Sequence, residues 1–225
     1  MKIEQLEKTK SYDLVMAVPL IAWFGYTAWG VRPTLAWDAR AMLDGRADLL
    51  TVLQFLALFA SACFSLLLIW LLIERRVPVK KSRGLLPRLC GFAGTFLGVG
   101  IIHMQIVDLT LPWQVVADIF VLGGSLGSVL VLSRLGKAFS IMPEARQLVT
   151  SGPYAYARHP LYAVEAITVV GIAMQHIQPW SALVGVLVIV LQVIRSIFEE
   201  RVLIEAYPEY AVYRAKTKRF IPGVI

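Results

Sequence analysis

The chain is 225 residues long, 58% of them hydrophobic and only 16% charged, with a mean hydropathy of +0.69. Soluble domains carry about 25% charged residues, so the composition excludes a soluble enzyme and describes an all-α integral membrane protein. The net charge of +7 flanks apolar segments, which makes anionic lipid headgroups its partner and not nucleic acid.

The first apolar segment runs from about Leu14 to Val31, behind the mixed-charge head MKIEQLEKTKSYD, and reads as a retained span. A polar connection follows from Arg32 to Asp48, with three arginines against three aspartates. Span two covers Leu49 to Ile73 and ends in the basic loop ERRVPVKKSRGLLPR. Span three, Leu89 to Val107, turns through DLTLP into span four, Trp113 to Ser133. A long polar loop leads to two shorter segments, Pro160 to His176 and Trp180 to Phe198, separated by Gln178-Pro179. The pattern predicts five to six transmembrane helices in a single transmembrane domain, since a crossing takes about 20 residues. Residues 1–133 hold spans one to four, and residues 134–225 form a second, motif-bearing part.

Nearly all of the 22 Lys and Arg fall on one side of this threading, which leaves only Arg32, Arg40 and Arg46 on the other. That asymmetry predicts both termini in the cytoplasm. It also brings the loop Arg134–His159 and the C-terminal stretch Arg195–Pro222 to the same face.

Those two stretches carry the chemistry. LVTSGPYAYARHPLY, Leu148 to Tyr162, sets a Gly-Pro turn, three tyrosines and Arg158-His159-Pro160 at the mouth of an apolar segment. Pro160 suits a first helical turn. Taken singly, Arg and Tyr at a membrane boundary are ordinary interfacial anchors; the density of the cluster is what marks a site. RSIFEERVLIEAYPEYAVYRAKTKRFIP puts Arg195 and Glu199 four residues apart on one helical face, at the end of an apolar span where charges are costly. Arg201, Glu205 and Glu209 read as an ordinary salt-bridged helix, and Tyr207, Tyr210 and Tyr213 as packing residues.

Other signals point away from common sites. The run Gly123-Gly124-Ser125-Leu126-Gly127-Ser128 lies mid-span with no strand before it, so it is no dinucleotide loop. Gly123 with Gly127, and Gly94 with Gly98, read as close-packing helix faces. His103, His159 and His176 lack metal spacing, and Cys63 and Cys90 supply neither a zinc site nor a disulfide framework. Spans three and four read as a hairpin that sets His103 and Asp118 at similar depth, an expected structural pair.

The two motif stretches together resemble the isoprenylcysteine carboxyl methyltransferase family, within a superfamily that includes phospholipid N-methyltransferases, thiol methyltransferases and the C-terminal halves of sterol reductases. The resemblance covers roughly Ser133 to Pro222 and is more specific for the superfamily than for a substrate. It implies S-adenosyl-L-methionine as cofactor, held on the cytoplasmic side by Leu148, Gly152, Tyr154, His159, Pro160, Tyr162, Glu199 and Glu200. It places Arg195 beside the methyl acceptor, with Arg195 and Glu199 as the catalytic pair. Arg146 stands where relatives often have His, a cofactor-binding position of altered chemistry. The tail reads Tyr207-Pro208-Glu209-Tyr210, one residue shorter than the family's usual turn.

The implied reaction is methyl transfer to a membrane lipid or a lipidated small acceptor, foremost carboxyl O-methylation of an isoprenylcysteine type. A carboxylate acceptor needs only a positive partner such as Arg195, whereas an amine or thiol needs a proton acceptor, for which Glu165 and Glu199 are candidates. Phospholipid N- and thiol S-methylation stay open, as do a nicotinamide-dependent reductase of isoprenoids or sterols and a non-catalytic membrane protein.

Overall fold

Local chemistry sets the ends of the helices. The Thr9 hydroxyl accepts from the Tyr12 amide at 3.3 Å, opening α1 (Lys10–Gly30). The Asp48 carboxylate accepts from the Thr51 amide at 2.8 Å and opens α3 (Leu49–Glu74). Proline in the first turn opens α2 (Arg32–Leu43), α5 (Leu111–Leu135) and α6 (Pro160–Met174), where its missing N–H leaves no bond unmade. The remaining helices are α4 (Leu85–Gly100), α7 (Trp180–Ala206) and α8 (Tyr210–Lys216). The computed structural model describes residues 9–223; the charged head at residues 1–8 lies outside them.

Among the described residues the protein is all-α apart from one two-residue strand pair and two isolated bridges. Among the described residues, five helical stretches are long and apolar enough to cross a membrane: Lys10–Leu43, Leu49–Glu74, Leu85–His103, Leu111–Ala138 and Trp180–Ala206. α6, with 15 residues, is shorter.

Several boundaries differ from the sequence reading, and span three, expected over Leu89 to Val107, is helical from Leu85 to His103. The polar connection after span one is largely helix α2, continuous with α1 except at Val31, whose backbone stays in the right-handed helical region. α7 runs two turns past Phe198 to Ala206, so Arg195, Glu199 and Glu200 all sit on one rigid helix.

α5 is the central helix, packed between α3 and α6, while α4 packs on α7. The approach of α5 to α6 is close enough that backbone replaces side chain. A Cβ on Gly124 would lie 2.5 Å from the Thr168 amide nitrogen, and one on Gly171 would lie 2.8 Å from the Ala117 carbonyl. The small-residue face of α5 is therefore Gly124 with Gly127, not Gly123, which faces open space. Gly94 and Gly98 do face α7, against Leu191 and Val188.

The expected His103–Asp118 pair is not made. α4 lies on α7 and does not form a packed hairpin with α5, so His103 stacks beside Trp23 and Tyr26 at 6.0 and 6.5 Å between ring centroids. Asp118 instead accepts from Gln175 Nε2 at 2.7 Å.

At the opposite end of the bundle the polar segments are laced together. β1 (Lys80–Lys81) pairs antiparallel with β2 (Glu144–Ala145), which ties the basic loop after α3 to the long loop after α5. The chain after α8 lies along the motif loop: the Arg158 and His159 amides donate to the Lys218 and Arg219 carbonyls, both at 2.8 Å.

Candidate active site

The motif loop reaches its geometry through a left-handed glycine. Gly152 has φ +63°, a conformation that costs glycine no steric strain. It starts the single turn Gly152–Ala155, which buries Tyr154. Pro160 then begins α6, so the rings of His159 and Tyr162 stack nearly parallel, 5.4 Å apart and 3° from coplanar orientation.

Two carboxylates on α7 receive this loop in different ways. Glu199 is the shared acceptor of the cluster. Tyr162 donates to its Oε1 at 2.5 Å, Arg195 Nε donates to the same oxygen at 3.1 Å, and His159 Nδ1 lies 3.6 Å from Oε2. The Arg195 guanidinium sits 5.0 Å over the Tyr162 ring, and its Nη2 donates to the Ser140 carbonyl at 2.8 Å. Those bonds use Nε and Nη2.

Glu200 faces the tail. Arg158 Nε and Arg219 Nε donate to its Oε1 at 3.0 and 2.9 Å, Arg219 Nη2 donates to Oε2 at 3.1 Å, and Arg214 and His159 stand within 3.5 Å. Arg158 also donates to the Thr217 carbonyl. The bond to Glu200 raises the affinity of Arg219 for its proton. Tyr213 closes the clamp, its hydroxyl donating to the Tyr154 carbonyl at 2.5 Å. Burial pushes the Tyr213 hydroxyl up to about 12.

Leu148, Tyr154, His159, Tyr162, Arg195 and Glu199 line one cleft of about 90 Å³. Gly152 and Pro160 do not line it; they shape the backbone that does. Arg146 and Glu200 do not line it either. Arg146 is buried, and its guanidinium bonds Asp13 Oδ1 at 2.7 Å, Asp13 Oδ2 at 3.1 Å, Glu144 Oε2 at 2.7 Å and the Arg76 carbonyl. Its Nη1 and Nη2 are engaged by these groups, and its Nε has no hydrogen-bond partner among the described residues. Arg75 meets the same Asp13 from the end of α3, at 2.9 Å.

Ser140, Glu144 and Gln147 also line the cleft and were not singled out from sequence, and Tyr210 and Tyr213, expected only to pack, line it as well. The loop that carries the first three has no periodicity from which a lining could be read. The carboxylate of Glu144 accepts from the Ser140 hydroxyl at 2.9 Å. A continuous polar chain thus runs from Arg195 through Ser140, Glu144 and Arg146 to Asp13.

A second and larger cavity, about 670 Å³, lies among the long helices. It shares Phe139, Leu161, Tyr162 and Arg195 with the cleft. Glu165 lines it one turn beyond Tyr162 and accepts from Gln192 Nε2 at 3.0 Å. Arg195 and Tyr162 therefore stand at a seam, with a polar cleft on one side and a helix-lined chamber on the other.

Residues 112–210 match the family model of phospholipid methyltransferases, part of the integral membrane methyltransferase superfamily. Over 104 residues the chain is 36% identical to the cobalt-zinc-cadmium resistance protein CzcN of Cupriavidus metallidurans, covering 44% of this chain and 47% of that protein. Over 82 residues it is 34% identical to the nickel-cobalt-cadmium resistance protein NccN of Alcaligenes xylosoxydans xylosoxydans, covering 35% and 38%. The chain thus spans less than half the length of these curated relatives.

Proposed function

We propose that this chain, whose residues 112–210 carry the phospholipid methyltransferase match, transfers a methyl group from S-adenosyl-L-methionine to an acceptor dissolved in the membrane. The observation that carries this reading is the seam: Tyr162 and Arg195 line both the polar cleft and the chamber between helices. A water-soluble donor approaches from one side and a lipid-borne acceptor from the other. The concentration of basic residues at the cleft end supports a cytoplasmic location for that end and for both termini.

The chemistry of the cleft suits the cofactor. It offers a carboxylate, Glu199, and stacked aromatic rings for a cationic group, and Glu144 and Gln147 for hydroxyl and amine groups. Its enclosed volume of about 90 Å³ is below the roughly 300–1,000 Å³ of ligand pockets. Binding therefore widens it, and the segment from α8 onwards, held by Tyr213 on the Tyr154 carbonyl and by Arg219 on Glu200, is the part placed to yield.

The cofactor supplies an activated methyl on a sulfonium. The protein's work is to hold the acceptor in line and keep water away. Arg195, fixed by Glu199 and the Ser140 carbonyl, orients the attacking group. A carboxylate held by Arg195 would take the methyl directly as the carbon–sulfur bond broke to a neutral thioether, so the protein would have no proton to move. This is the isoprenylcysteine-type reading. Phospholipid N-methylation has its own support in Glu165, a carboxylate in the chamber able to receive the proton that an ammonium nitrogen must lose. The relatives' names, which give resistance to cobalt, zinc, cadmium and nickel, supply the setting we extend to such a membrane modification.

Purified protein incubated with membrane lipid extract and methyl-labelled S-adenosyl-L-methionine tests the proposal by mass spectrometry. Label in a lipid-soluble product supports it. A methyl ester identifies the carboxylate reading and an N-methyl product the amine reading. Absence of label from every lipid fraction, in protein that binds the cofactor, would contradict it.

A further inference from the structure

The chamber holds two polar groups that the fold leaves unsatisfied, Asp118 at its far end and Ser128 ten residues along α5 towards the cleft. Asp118 is 3% exposed and Ser128 1% exposed, and both line the chamber. Asp118 Oδ1 accepts from Gln175, but Oδ2 has no hydrogen-bond partner among the described residues, and neither does Ser128 Oγ. The two share one face of α5 with Val121 and Ser125, which also line the chamber; the spacing of three, four and three residues is that of a helical stripe. An unmet buried polar atom costs about 1–3 kcal/mol, more when charged, and native interiors rarely keep one without a use.

We infer that this end of the chamber is a second recognition subsite, which takes a hydrogen-bond-donating group, a hydroxyl or an ammonium, at the far end of a long-chain amphiphile whose other polar end lies at Arg195. An ionised carboxylate only accepts hydrogen bonds, so in that form Asp118 selects a donor. Tyr162, at the seam, and Gln175, the partner of Asp118, lie at the two ends of α6, thirteen positions and hence about 20 Å apart. A molecule reaching both must be extended. The chamber volume of about 670 Å³ lies within the range of ligand pockets. A plain acyl tail would bring nothing to Asp118, so the subsite distinguishes a doubly polar chain from an ordinary lipid. The inference rests on the proposed function only in assigning the Arg195 end to the ligand's other polar group.

Binding of palmitic acid, ω-hydroxypalmitic acid and ω-aminopalmitic acid to the purified protein in lipid nanodiscs tests it, read by displacement of a fluorescent fatty acid. One added hydrogen bond of about 1 kcal/mol gives an advantage of about fivefold, so at least one ω-substituted acid binds about fivefold tighter than palmitic acid. The hydroxy and amino arms identify which donor the subsite takes. Asp118→Leu removes the advantage, read as the ratio of each ω-substituted acid's affinity to that of palmitic acid in the same variant. Asp118→Asn, which keeps the side-chain shape, removes any ω-amino advantage and replaces Asp118→Leu as the test if that variant does not fold. Equal binding of all three acids, no binding of any, or an ω-advantage that survives Asp118→Leu would overturn the subsite. The readout involves no methyl transfer: selective binding without labelled product keeps the subsite and removes the proposed reaction, and labelled product without selective binding does the reverse.

Discussion

At the scale of single residues, the site depends on a few side chains with crowded bonding. Arg195 serves the seam through a planar fork, with Nε on Glu199 and Nη2 on the Ser140 carbonyl. Lysine keeps the charge but not the fork. Arg195→Lys should therefore lower kcat by roughly tenfold to a hundredfold, the cost of a misplaced acceptor, with cofactor affinity little changed; equal losses in titrations of both would make Arg195 a cofactor ligand. Tyr213 makes a separate prediction. Its hydroxyl, ordinarily near 10.0, is raised to about 12 in the folded chain, so the unfolded chain ionises first. Its stabilisation is complete below pH 10 and is lost as pH rises towards 12. Melting temperatures should fall across that window, and Tyr213→Phe should flatten the slope while lowering stability at neutral pH by about 1 kcal/mol. Arg195, Glu199, His159 and Tyr162 were legible in the sequence because a charge or a dense polar motif at the end of an apolar segment needs a reason. Glu144 and Gln147 were not, since an irregular loop leaves no period to follow, and the motif position of Arg146 could not disclose that Asp13 had claimed its guanidinium.

At the scale of elements, α1 is fastened to the site by charge. Asp13 is buried between Arg75 and Arg146, and removing one member of a buried ion group costs about 3–5 kcal/mol. Asp13→Ala should destabilise the fold by about that much in thermal or denaturant unfolding, and a loss within 1 kcal/mol would show the network to be no stronger than a surface pair. The contact of α5 with α6 is the other fixed joint. Gly124→Val should cost about 1–3 kcal/mol through overpacking against Thr168 and Val164, whereas Gly123→Ala, facing open space, should be neutral in the same assay. Hydropathy located the long helices well because a crossing segment is apolar over its whole length. It missed α2, whose alternating arginines and aspartates read as a loop until Pro33 is seen to sit in the first turn of a helix that continues α1. Which glycines face a neighbour, and which helix lies beside which, depend on helical phase and tertiary packing, and these left the His103–Asp118 pairing unmade.

At the scale of the whole molecule, the arrangement is a polar cleft and a chamber between helices that meet at Tyr162 and Arg195. Both the reductase and the methyltransferase readings of the sequence need a cofactor in the cleft, and they differ in which one. Equilibrium binding in detergent therefore tests the central claim most directly, with S-adenosyl-L-methionine, its demethylated product and NADPH measured against the unaltered protein and Glu199→Gln. The first two should raise the melting temperature in proportion to their occupancy of the folded state, NADPH should not, and Glu199→Gln should weaken the effect while remaining folded. Stabilisation by NADPH alone, or undiminished cofactor binding in Glu199→Gln, would contradict a methyl-donor site.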